Sequence, residues 1–262
     1  MMKEQIAELL RQLENNGVKI LFAIENGSRA WNMASKDSDY DVRFVFHRPV
    51  ESYISLEKPD DVINVAYDEN MNRCGAQGSL IDMSGFDVFK YAQLLYNSNP
   101  TTIEWLVSSI VYYGSNDLNL RNYVLENFNP RALFYHYFSL FKNNYKEFIV
   151  EGKALTLKKY LYSMRGLLNA RFVYHNKAIP PLDFMEAVEQ MKPNLPLDVY
   201  MKTIEIIRIK SSGDEKDFFG KIKILDEYFE ENLNEDFSAI EDRKMEMKVF
   251  DQFLQKTILE RN

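Results

Sequence analysis

Two β-rich apolar runs, Val18-Lys-Ile-Leu-Phe-Ala-Ile24 and Val42-Arg-Phe-Val-Phe46, enclose a polar stretch that opens with Gly27-Ser28 and closes with Asp37-Ser-Asp39-Tyr-Asp41. The pattern reads as strand, turn, strand. Along the second strand, side chains alternate, so Asp39, Asp41 and Arg43 project from one face and Tyr40, Val42 and Phe44 from the other. Two carboxylates about 7 Å apart along a strand suit divalent ions, which take oxygen ligands and lie roughly 3.5–4 Å apart in two-metal sites. The Gly-Ser turn offers backbone N–H groups and a hydroxyl to phosphate. Either piece alone is an ordinary solvated turn. Their order between two strands is what points to phosphoryl or nucleotidyl transfer.

The remaining elements are legible from their periodicity. Ile6, Leu9, Leu10 and Leu13 fall at helical spacing, so the first 15 or so residues form an amphipathic helix ended by Asn-Asn-Gly17. Val62–Tyr67 reads as a third strand, and Asp68 to Gly78 as a polar loop before a further strand that carries Asp82. Phe89 through Leu95 returns to helical period, Asn99-Pro100 interrupts it, and Ile110–Tyr113 reads as an edge strand. From Asn129-Pro130 onward strand signals vanish. Apolar stripes such as Leu133, Phe134, Tyr137, Phe138 and Phe141 indicate helices, and prolines separate them. The expected fold is α+β, with a small mixed-sheet catalytic domain over 1–128 and an all-helical domain over 129–262.

Composition sets limits. A chain of 262 residues with 46% hydrophobic content can bury a sizeable core. No apolar run approaches the roughly 20 residues of a membrane helix, and the N-terminus has no charged-then-apolar signal. The lone Cys74 excludes an internal disulfide and fits a reducing cytoplasm. A net charge of -7 argues against nucleic acid, but its distribution does not. Between Pro130 and Pro180 stand Arg131, Lys142, Lys146, Lys153, Lys158, Lys159, Arg165, Arg171 and Lys177 against only Glu147 and Glu151. Later runs such as Asp226-Glu227 and Glu235-Asp236 turn the balance acidic. A basic middle is either a patch for phosphates or a solvated helix face. Lys158, Lys159 and Arg165 are the candidates in it, with Tyr162 three residues before Arg165 on a shared helix face.

Gly-Ser, about ten residues, then Asp-x-Asp resembles the signature of the DNA polymerase β-like nucleotidyltransferase superfamily. The fuller string Gly27-Ser-Arg-Ala-Trp31 … Ser35-Lys-Asp-Ser-Asp-Tyr-Asp-Val-Arg43 resembles one branch, the YcgL-type nucleotidyltransferases of the RNA-repair-pathway polymerase β family. Asn99–Trp105 and Lys158–Arg165 also look like that branch, so the likeness spans at least residues 20–185. In the superfamily a third carboxylate comes from a later strand in an apolar-acid-apolar setting, which Ile81-Asp82-Met83 matches. One departure is Asn32, where the branch carries Gly; Asn tolerates positive φ better than most residues.

The resemblance implies transfer of a nucleoside monophosphate from an NTP to a hydroxyl, with release of pyrophosphate. Asp39, Asp41 and Asp82 would bind Mg²⁺ or Mn²⁺, Gly27 and Ser28 would hold the terminal phosphates, and Arg29 or Arg43 would neutralise the transferred group. An RNA acceptor is expected, with RNA-repair enzymes as partners. Adenylylation of a protein or small molecule is the alternative, followed by a silent nucleotide- or RNA-binding role. A binding-only module has no need of a dense acidic cluster.

Overall fold

A computed structural model describes residues 2–116, 119–153, 155–212, 220–234, 237 and 240–259; the acidic pair Glu235-Asp236 lies outside the described residues. The chain divides into two compact units. The first comprises Met1–Ala30, Ser38–Phe128 and Lys244–Asn262, and the second Trp31–Asp37 with Asn129–Arg243.

The first unit is built on a six-stranded mixed sheet. Its strands are β1 (Lys19–Asn26), β2 (Tyr40–His47), β3 (Val62–Tyr67), β4 (Arg73–Cys74), β5 (Ile81–Asp87) and β6 (Val111–Gly114), in the spatial order β4-β3-β5-β2-β1-β6. Among the described residues only β2 and β5 run parallel; the other pairs are antiparallel. The helices of this unit are α1 (Met2–Glu14), the one-turn α2 (Gly27–Ala30), α3 (Val50–Tyr53), α4 (Val88–Tyr96), α5 (Pro100–Val107) and α6 (Arg121–Asn127).

Local chemistry explains the boundaries. The Asp87 carboxylate caps α4 by accepting from the Phe89 amide at 3.0 Å. Asn99 accepts from Thr101 N–H ahead of Pro100, so the chain starts α5 with a cap and a proline that has no N–H to lose. Strand alternation buries Val42, Phe44 and Phe46 on one face of β2, where they join Ile6, Leu9, Leu10 and Leu13 of α1 in a single cluster. Asp41 and Arg43 therefore project from the opposite face.

A C-terminal helix, Met247–Leu259, is grouped with this first unit and not with the helical one. Its Phe250 packs edge-on against Tyr96 and Tyr123, with ring centroids 5.5 and 6.2 Å away. The sequence reading of 129–262 as one block did not separate this helix, because an amphipathic stripe does not identify what it packs against.

The second unit is helical: α7 (Pro130–Asn144), a π-helical turn (Tyr145–Val150), α8 (Leu157–Asn176), α9 (Phe184–Met191), α10 (Leu197–Ser212) and α11 (Lys223–Leu233). Aromatic rings fill its core, among them Phe134, Phe138, Phe141 and Phe229. Among the described residues of the chain, no helix is long and apolar enough to cross a membrane.

Helices α7 and α8 approach closely at Gly166. A Cβ built there would lie 2.8 Å from the Phe141 amide nitrogen and 3.0 Å from its Cα, both rigid backbone atoms. Gly166→Val forces the pair apart and is expected to cost about 2 kcal/mol, read as a lower midpoint in urea unfolding. An unchanged midpoint would show that the helices do not depend on this contact.

Candidate active site

Parallel pairing of β2 with β5 sets Asp41 directly opposite Asp82 and Arg43 opposite Ser84. The Arg43 guanidinium lies between the two carboxylates. One of its terminal nitrogens, Nη2, donates to Asp41 Oδ1 at 2.9 Å and to Asp82 Oδ2 at 2.9 Å. Both oxygens contact the same nitrogen, so they are separated by no more than twice that distance. The other terminal nitrogen donates to the backbone carbonyls of Asp82 at 3.0 Å and Val42 at 3.1 Å. The arginine thus ties the side chains and the backbones of both strands. The side chains of Arg43, Asp41 and Asp82 retain 16%, 23% and 31% of their exposure, so the cluster opens to solvent on the carboxylate side.

The glycine of the turn makes room for Asp41. Gly27 has φ +64, a left-handed conformation that disfavours a side chain, and a Cβ there would sit 2.0 Å from Asp41 Oδ2 and 2.7 Å from its Cγ. Asp41 is packed against the bare Cα of the turn. Ser28 follows in the one-turn helix α2 and is buried. The turn and the carboxylates, separated in sequence, therefore adjoin in space through Gly27 and Asp41.

Behind Asp41 stands a group that the sequence reading missed. Glu25, on β1, is 1% exposed, and its Oε1 accepts from the Asp41 backbone N–H at 2.9 Å. Burial pushes its carboxyl up to about 7, against the opposing pull of hydrogen bonds from Tyr112 and the Asp41 amide. A single acid within the run Phe22-Ala-Ile-Glu25 gave little to go on, and its partner Tyr112 lies far along the chain.

The other candidate residues have distinct settings. Asp39 precedes β2, which begins at Tyr40, and it is exposed. Arg29 is engaged with backbone: its Nε donates to the Asp39 carbonyl at 2.9 Å, a terminal nitrogen donates to the Ser38 carbonyl, and the guanidinium lies 3.9 Å from the centre of the Tyr40 ring. It grips the chain as it enters β2.

Within the helical unit, Arg165 is largely buried, with its guanidinium 3.9 Å from the centre of the Trp31 ring, and Tyr162 meets the same ring edge-on at 5.7 Å. Lys158 is exposed, its ammonium 5.5 Å from the Tyr162 ring centre, and Lys159 lies 3.6 Å from that of Phe148. Asn32 adopts φ 57, the region open to glycine, and its side-chain amide donates to Asp183 at 2.9 Å. The asparagine therefore keeps the backbone of the expected glycine and adds a tie to the N-cap of α9.

The donor set suits a hard divalent cation. Magnesium is held by one or two carboxylates together with substrate phosphates, and Asp41 and Asp82 supply two carboxylates on adjoining strands. Among the described residues, no three His, Cys, Asp or Glu side chains are grouped closely enough to hold an ion by themselves. Arg43 is the cation between the pair.

A model of the RNA repair pathway DNA polymerase beta family matches residues 1–256. A Bacillus subtilis (strain 168) relative, uncharacterized protein YcgL, is 33% identical over 261 residues, covering 98% of this chain and 95% of that protein. A crystal structure of a nucleotidyltransferase-like protein from Exiguobacterium sibiricum 255-15 aligns over 100% of this chain and 81% of that one, at 11% identity and a TM-score of 0.33.

The contact between Gly27 and Asp41 has a measurable coupling. Gly27→Ala is expected to destabilise the fold by about 1–3 kcal/mol, from backbone strain plus overlap with the carboxylate. In an Asp41→Ala background the overlapping Oδ2 and Cγ are gone, so the same change should cost at least about 1 kcal/mol less. Additive effects in a double-mutant cycle of urea unfolding would contradict the packing described.

Proposed function

The chain belongs to the RNA repair pathway DNA polymerase beta family, and on that premise we propose that this polymerase β-like nucleotidyltransferase moves a nucleoside monophosphate from an NTP to a hydroxyl of RNA, releasing pyrophosphate. The observation that carries the reading is the meeting of Asp41 and Asp82 across paired strands, with the Gly27-Ser28 turn packed against Asp41. The family name supports RNA as the acceptor, and enzymes of RNA repair are the proposed partners.

Each residue then has a role. Asp41 and Asp82 would hold Mg²⁺ or Mn²⁺ together with the substrate phosphates, while Asp39, in the segment just before β2, belongs to no cluster of three such side chains among the described residues. The ion would supply Lewis acidity at the transferred phosphate and lower the pKa of the attacking hydroxyl. The amides of Gly27 and Ser28 and the Ser28 hydroxyl hold the terminal phosphates. Arg43 neutralises charge that builds on the phosphoryl group in flight, a role its place between the carboxylates favours over Arg29, whose donors face backbone carbonyls. Asp82 is the more exposed carboxylate of the pair and accepts the proton of the acceptor hydroxyl. Lys158 and Lys159 contact RNA phosphates, while the buried Arg165 supports Trp31.

Incubation with each labelled NTP, Mg²⁺ and total RNA should carry label into RNA. Asp41→Asn and Asp82→Asn should each lower the rate by at least about a hundredfold, equivalent to a few kcal/mol of lost transition-state stabilisation. Label on protein or on a small acceptor would move the reading to adenylylation, and no label with any NTP would overturn the enzyme reading. Lys158→Gln and Lys159→Gln should each flatten the salt dependence of RNA binding by about one unit of slope. Unchanged slopes would make these lysines part of a solvated helix face.

A further inference from the structure

Glu25 is buried, yet it joins β1 to β2 and to the stretch Ser108–Tyr112. Its side chain is 1% exposed. Oε1 accepts from the Asp41 backbone N–H at 2.9 Å, and Oε2 is hydrogen-bonded to the Tyr112 hydroxyl on β6. Its backbone N–H donates to the Ile110 carbonyl at 2.9 Å, and its carbonyl accepts from the Ser108 hydroxyl at 2.9 Å. Every polar atom of the residue is thus engaged.

The position along β2 explains why this matters at Asp41. The Tyr40 amide points toward β5, where it donates to the Leu80 carbonyl at 2.9 Å. Strand geometry turns the next amide, that of Asp41, the other way, toward β1. β1 is still paired with β2 there, Asn26 opposite Asp41, and the Glu25 carboxyl receives the Asp41 amide beside that pair. This bond ties the β1 side chain to the backbone from which the Asp41 side chain springs. Asp41 is then held on three sides: at its amide by Glu25, at its carboxylate by Arg43, and at its face by the bare Cα of Gly27.

We propose that Glu25 is a positioning residue for transfer, acting through the Asp41 amide to hold the Asp41 carboxylate toward its partner Asp82. The proposal rests on the functional reading above, in which Asp41 serves the reaction. A shape-matched test follows from the hydrogen-bond pattern. Glu25→Gln keeps an acceptor for the Asp41 amide and offers an N–H to Tyr112, whereas Glu25→Met fills the same space without either.

Two measurements on the intact chain separate the outcomes: exchange of the Asp41 amide by NMR, and kcat and KM for nucleotide transfer to RNA. The Met variant should exchange the Asp41 amide at least about tenfold faster and lose at least about tenfold in kcat, while amides in α8 keep their protection. The Gln variant should restore both. A Met variant with unaltered Asp41 exchange, or a loss of kcat that Gln shares in full, would overturn the positioning role. If the unmutated chain transfers no nucleotide, the functional reading fails by itself and exchange decides the remaining question. Protection kept by Gln and lost by Met would support the positioning of Asp41, and equal protection in all three proteins would overturn it.

Discussion

Two carboxylates set side by side on neighbouring strands repel each other unless a cation offsets them. Here the offset is internal: one nitrogen of Arg43 is shared by Asp41 and Asp82 at 2.9 Å each. Charge-assisted bonds of this kind are stronger than neutral ones, and removal of Arg43 would leave both carboxylates uncompensated. The cluster carries a net charge of one negative unit and opens to solvent at its carboxylates. It is stable in the folded chain and remains electrostatically suited to a further cation or to a phosphoryl group that draws the arginine away.

The sheet is arranged around that cluster. Among the described strands β2 and β5 are the only parallel neighbours, and parallel pairing brings like ends of strands together. Asp41 and Asp82 each stand second in their strands, so the register that places Tyr40 opposite Ile81 also places the two acids opposite each other. The buried face of β2, with Val42, Phe44 and Phe46 against α1, fixes that register, because a slip of one residue would exchange the polar and apolar faces. Gly85 on β5 adds to this: a Cβ there would lie 2.1 Å from the Phe44 ring. Core packing on one face of the sheet therefore sets the geometry of the acids on the other.

Much of the secondary structure was legible because its signals are local. Val62–Tyr67 is β-rich in composition, and Asn99-Pro100 and Asn129-Pro130 are breaks in the local pattern that the structure shows to be helix starts, where asparagine caps and proline lacks the N–H that a first turn cannot use. Asp82 could be placed on a strand from its apolar neighbours, and Asn32 is a residue type that tolerates the positive φ it adopts. Other features depend on distant partners. That Asp39 falls outside β2, that Arg29 holds carbonyls at Ser38 and Asp39, and that Glu25 receives the Asp41 amide are settled by where the chain returns, not by spacing. The basic excess in 130–180 is a composition fact, and only the fold distinguishes the exposed Lys158 from the buried Arg165.

The central claim is that Asp41 and Asp82 form one site with the Gly27-Ser28 turn, and that this site takes a nucleotide with its metal. Crystals grown with a non-hydrolysable NTP analogue and Mn²⁺ test it most directly, through anomalous scattering from the metal. A manganese peak is expected within about 2.5 Å of carboxylate oxygens of both Asp41 and Asp82, with the triphosphate on the Gly27-Ser28 amides and Arg43 turned toward it. Nucleotide and manganese bound elsewhere, with Arg43 still bridging the two carboxylates, would contradict it.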